Sequence, residues 1–67
     1  MTTTMTHEAA SLALVVELPD VAERDALIGH LLSEAELGES SIDRICAEAA
    51  IEFGVRSAIC RGIIEGE

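Results

Sequence analysis

Along the first third of the chain, apolar and polar positions change period at one residue, Pro19. Before it, Leu12, Leu14, Val16 and Leu18 alternate with Ala13, Val15 and Glu17, the two-residue repeat of a strand. Proline drives the residue before it towards extended geometry, so this segment ends at Leu18. The preceding His7-Glu-Ala-Ala can instead open a helix that runs through the same residues. The strand reading is adopted, with an all-helical chain as the alternative. Residues 1–6, MTTTMT, are polar, carry no period and are expected to form a disordered tail.

After Pro19 the repeat becomes helical. Asp20 is placed to cap free amides, and Glu23 three residues later completes a capping box. Val21, Leu27, Ile28, Leu31, Leu32 and Ala35 gather on one side, with Glu23, His30 and Glu34 on the other, until Gly38 stops the helix. Ser40 and Ser41 begin a second helix, which places Ile42, Ile45, Cys46, Ala49, Ala50 and Phe53 on one face up to Gly54. A last helix, Val55 to about Ile64, repeats the pattern with Val55, Ala58, Ile59, Gly62 and Ile63. The fold class is therefore mainly α, a short N-terminal strand followed by three helices in one domain over residues 7–67. The alternative is an all-α four-helix domain. Ala49 and Gly62 are small enough for two helices to approach closely, and with Leu14, Val16 and Phe53 they form the expected core or dimer seam. Ile51 and Ile64 fall off both core faces, which marks them for a second contact surface.

Composition narrows what such a domain can do. The 67 residues hold thirteen carboxylates, four arginines and no lysine, for a net charge of −9, yet 49% of them are apolar. That apolar share exceeds what a disordered acidic tail carries, so the chain should fold. The charge repels nucleic-acid phosphates and anionic membranes and attracts basic proteins. A domain of this size buries only about 60% of the surface its unfolded chain exposes, which makes self-association a natural supplement, so a homodimer is expected. The longest apolar run, Leu12 to Val16, is too short to span a membrane, and the N-terminus lacks the basic region of a secretory signal. A cytoplasmic location is expected.

Val16-Glu-Leu-Pro-Asp20 with its following helix, then Leu37-Gly-Glu-Ser-Ser41 with a second, resembles the ribbon-helix-helix family, antitoxin-type members included. The likeness covers residues 12–53. It implies that the strand pairs with its twin in a dimer, and that the outward strand residues Ala13, Val15 and Glu17 face the DNA. Alanine and valine offer no hydrogen bonds to base edges, and a glutamate opposes the phosphates. The resemblance therefore implies a protein that masks a basic partner, with a dimeric DNA-binding regulator or antitoxin as the alternative.

Candidate chemistry is sparse. His30 and Glu34 stand four apart, a spacing that can chelate a metal, but a zinc site takes four ligands, and a solvated pair is the simpler reading. Cys46 and Cys60 lie in apolar helical patterns within an acidic chain, where a thiol is buried and inert. Arg24 has Glu23 and Asp25 beside it as partners. Arg56 and Arg61 either pair with Glu52 and Glu65 or anchor a partner's carboxylate. No catalytic residue, metal or cofactor is assigned. The functional expectation is a non-enzymatic interaction protein that binds and inhibits or masks a basic, nucleic-acid-associated protein, as phage inhibitors such as anti-CRISPR proteins or antitoxins do. Its partner interface is assigned to Val15, Glu17, Ile51, Arg56 and Ile64.

Overall fold

A computed structural model describes residues 5–66, and all its regular structure is helical: α1 (His7–Glu17), α2 (Val21–Leu37), α3 (Ile42–Phe53) and α4 (Ser57–Glu65). The segment read as a strand is the body of α1. Its alternation is ambiguous because Ala13 and Val15 are apolar as well, so a helical face fits the same residues. What sets the helix is its start: the Thr6 hydroxyl accepts the Ala9 N–H at 3.1 Å. Its end comes where the sequence places it, with Leu18 out of helical geometry at φ −135°, ψ 77° before Pro19. The four-helix alternative is the architecture the protein has, and the expected N-terminal strand is corrected to helix.

The expected tail of residues 1–6 divides at Met5. Residues 1–4 lie outside the described residues. Met5 packs against the core and Thr6 caps α1, so both belong to the folded body.

The other boundaries follow local chemistry. Asp20 accepts the Glu23 N–H at 3.2 Å and Ser41 accepts the Arg44 N–H at 3.2 Å, each closing a helix N-terminus. Gly38 and Gly54 end α2 and α3 at φ 68° and 71°, a left-handed geometry that costs glycine little. The last helix begins at Ser57, two residues after the expected start, and its own first turn supplies no side-chain cap.

The shortest helix, α4, lies at the centre. It packs against α1 on one side and against α3 and α2 on others. Ile59, Cys60, Gly62 and Ile63 are buried in α4, and they meet Ala10 and Leu14 of α1, Leu27 and Leu31 of α2, and Ile45, Cys46 and Ala49 of α3 in one cluster. At Gly62 α1 comes close to α4. A Cβ at this position would stand 2.6 Å from the Ala10 Cβ and 3.2 Å from the Met5 carbonyl oxygen. The expected close approach at Gly62 is thus made with α1.

Several expected core positions are displaced. Val16, assigned to the seam, is 80% exposed, because the helix carries it to the side of α1 away from α4. Val21 and Leu32 of α2 and Ala58 of α4 also face solvent, while Leu27, Leu31 and half-buried Ile28 carry the α2 contact. Leu14 and Ala49 are fully buried as expected, and Phe53 is half-buried against the core.

The two interior glycines give opposite expectations. Gly29, within α2, has open space around its missing side chain. Gly29→Ala should stabilise the fold by about 0.5–1 kcal/mol through helix propensity. At Gly62 the same gain of up to ~1 kcal/mol opposes an overpacking cost of about 1–3 kcal/mol, so Gly62→Ala should be destabilising. Urea midpoints of the two variants should move in opposite directions from that of the parent chain, and parallel shifts would show that the α1–α4 contact is looser than 2.6 Å implies.

Candidate functional site

Charged side chains in this fold divide into those that hold the helices together and those that do not. Arg24, in the first turn of α2, donates from Nη1 to the Leu18 carbonyl at 3.0 Å and to the Pro19 carbonyl at 2.6 Å. A cation thus occupies the C-terminal end of α1, where unpaired carbonyls concentrate negative charge. The pairing of Arg24 with Glu23 or Asp25 is replaced by this role.

Glu17 and Arg56 are joined to each other. The Glu17 carboxylate accepts the Arg56 backbone N–H at 3.2 Å and the Arg56 Nε at 2.5 Å. Arg56 is the residue preceding α4, so the last residue of α1 supplies the carboxylate that the start of α4 lacks. The Arg56 side chain is still mostly exposed, which limits the ion pair itself to about 1 kcal/mol or less. Glu17 and Arg56, both assigned to the partner interface, are thus tied to each other across 39 positions of sequence.

The two remaining arginines are also engaged. Arg44 pairs with Glu48 one turn along α3 at 3.2 Å, and Arg61 pairs with Glu65 at 2.8 Å and with Asp43 of α3. Arg61 accordingly keeps its expected partner Glu65, while Arg56 pairs with Glu17 in place of Glu52. All four arginines are bound within the chain. Among the described residues, Glu8, Asp20, Glu23, Asp25, Glu34, Glu36, Glu39 and Glu52 form no ion pair. Most of them lie on α2 and the turn after it, so that side of the molecule is anionic.

Apolar side chains are exposed as well. Leu37, at the end of α2, is 62% exposed and lines an open depression of about 460 Å³ with Ser33 and Glu36. Leu32 is half-exposed on the same helix. Ile51 is 85% exposed on α3, as its off-core position predicts. Its expected companion Ile64 is half-buried and packs against the core, so the pairing of the two isoleucines as one outer surface is corrected. Val15 is exposed, but on α1. Of the five assigned interface residues, Val15 and Ile51 are the two left open, and they lie on separate helices. Leu32, Ser33, Glu36, Leu37 and Glu39 were missed by sequence reading. Leu32 falls on the apolar side that the helical repeat assigns to the core, and Leu37 directly precedes Gly38, which ends the helix.

The groups with potential chemistry do not converge. No hydrogen bond or ion pair joins His30 to Glu34 among the described residues. The His30 ring instead lies 6.2 Å from that of Phe53, tilted by 39°, in an aromatic contact between α2 and α3. No group of three or more His, Cys, Asp or Glu among the described residues is placed to hold a metal ion. Cys46 and Cys60 are free and buried. Burial pushes the Cys46 thiol up to about 11, with Cys60 and Glu65 adding to the effect, and burial raises Cys60 as well. A thiol raised in this way is a poor nucleophile at neutral pH. No helix among the described residues is long and apolar enough to cross a membrane. Comparison of the chain with protein-family models, with curated proteins and with solved structures gave no match.

The thiols make the alkaline limb of stability specific. The chain has no lysine and no tyrosine, so between about pH 9 and 11 its titrating side chains are the two cysteines. Their folded pKa values exceed the unfolded one, so the folded state holds protons that the unfolded state releases. The contribution of the thiols is complete below pH 9.0, the ordinary thiol value, and falls as pH rises towards about 11. The loss should be of order 2 kcal/mol. Urea unfolding at stepped pH should show this decline, and Cys46→Ala, whatever its overall stability, should show a shallower one; equal slopes would place the loss elsewhere.

Proposed function

We propose that this chain is a small acidic, non-enzymatic interaction protein that binds and masks a basic, nucleic-acid-associated partner protein. The observation that carries this reading is the internal use of every arginine. With its cations bound to its own carboxylates and carbonyls, the molecule turns a nearly one-signed surface outward along α2 and the α2–α3 turn. Such a surface speeds encounter with a positive partner and repels phosphate backbones.

Contact energy on this reading comes from the exposed apolar side chains among those carboxylates, Leu32 and Leu37 on α2 and Ile51 on α3. The depression between Ser33, Glu36 and Leu37 suits a lysine or arginine. The stem of such a side chain packs on Leu37 while its charged end meets Glu36. The buried thiols favour binding over catalysis, since burial holds them protonated.

The test is recovery from host lysate on immobilised protein, with and without nuclease, followed by identification of what elutes between low and high salt. A basic protein should be retained in both lysates and released by about 0.5 M salt, where the screening length falls to ~4 Å. Retention should drop at least tenfold for Glu36→Lys/Glu39→Lys, both exposed and free of ion pairs among the described residues. Recovery of nucleic acid alone, abolished by nuclease, would overturn the reading in favour of a DNA-binding regulator.

A further inference from the structure

Helix α1 is apolar on both of its sides. Its inner side, Ala10 and Leu14, is buried in the core, with Leu18 following just past its end. Its outer side carries Leu12 at 66% exposure, Val16 at 80%, and the exposed Val15 and Ala9. Nothing ionisable stands between Glu8 and Glu17. A helix that is hydrophobic all round is normally a buried helix, whereas α1 packs extensively against α4 alone.

Charge decides what covers it. A net charge of −9 keeps copies of this chain apart wherever their carboxylates would meet. The outer side of α1 is a place where two copies can touch without bringing carboxylates together over most of its length. A basic partner drawn by charge, by contrast, is drawn to the α2 side. We propose that the outer face of α1 is a homodimer interface, in which Leu12, Val15 and Val16 of two copies pack across a two-fold axis.

The sequence also sets the direction of that pairing. In a parallel pair Glu8 would face Glu8 of the second copy. In an antiparallel pair the axis passes near Leu12, and the two Glu8 side chains lie at opposite ends of the contact. The antiparallel arrangement removes that repulsion, and it closes as a symmetric two-fold contact. An eleven-residue helix is only about 16 Å long. The buried area is therefore below that of a standard stable interface, and a weak dimer, with a dissociation constant of roughly micromolar or weaker, is expected. This inference does not depend on the masking of a basic partner, which uses other residues and is read by a different experiment.

Sedimentation equilibrium of the purified chain from about 5 μM to 1 mM tests it, given that expected affinity. The mass should rise from that of one 7.1 kDa chain towards twice that value. Leu12→Gln/Val16→Gln keeps good helix formers in α1 and should hold the one-chain mass throughout, with unchanged far-ultraviolet circular dichroism. Ile51→Gln, on α3, should dimerise like the parent. For direction, Leu12→Cys should form a disulfide-linked dimer under mild oxidation and Glu8→Cys should not, the native thiols being buried. A one-chain mass at every concentration, or dissociation by Ile51→Gln with the α1 variant still dimeric, would overturn the interface. Cross-linking through Glu8→Cys in preference to Leu12→Cys would overturn the antiparallel arrangement.

Discussion

The fold turns on the absence of a side chain at Gly62. Four short helices in 67 residues form a common core only if one of them can be touched by the other three, and that one must be slim. Helix α4 meets the requirement with Gly62 on the side that α1 approaches, and with Ile59, Cys60 and Ile63 buried around it. Because Ala10 is also small, the α1 and α4 backbones come together there, and the N-terminal and C-terminal elements of the chain are neighbours. Larger residues at either place would separate α1 from a body to which it has few other attachments.

Electrostatics reinforces the same junction. Two polar ties fasten the C-terminal end of α1: Arg24 on the Leu18 and Pro19 carbonyls just past it, and Glu17 on Arg56 across 39 positions. Each places an ion where a helix terminus presents the opposite partial charge. The first stabilises the turn into α2, and the second attaches α1 to the start of α4. With few cations available, using them this way has a consequence at the surface. Carboxylates left over on α2 are not neutralised, so the internal cohesion of the molecule and its external negative field arise from one allocation of arginines.

Helix boundaries were legible in the sequence because they depend on residues close in the chain. Asp20, Ser41, Gly38 and Gly54 each act within three or four positions of themselves, and the face of α3 is cleanly amphipathic. The conformation of residues 12–18 was not legible, since a segment apolar at both odd and even positions satisfies a period of two and a period of 3.6 alike. The cap at Thr6, hidden in a run of similar polar residues, decided it. Similarly, Arg24 and Glu17 looked like surface charges because their partners are set by tertiary geometry, six and 39 residues away. The seventeen-residue α2 misled in another way. It offers a wider apolar stripe than its neighbours cover, so Val21 and Leu32 read as core and are exposed.

Those uncovered positions separate the surface into two kinds. On α1 the exposed residues are aliphatic, and the nearest carboxylates are at its ends. On α2 and the following turn, aliphatic residues are interspersed with carboxylates that have no cation among the described residues. A face of the first kind gains by excluding water and discriminates little by charge; one of the second kind selects for positive partners and loses strength with salt. In the proposed dimer the uncharged faces meet each other, and the charged ones are left outward in two copies. Joining the chains that way places both acidic surfaces in one particle, so a basic partner with two contact sites would bind the pair more tightly than either chain alone.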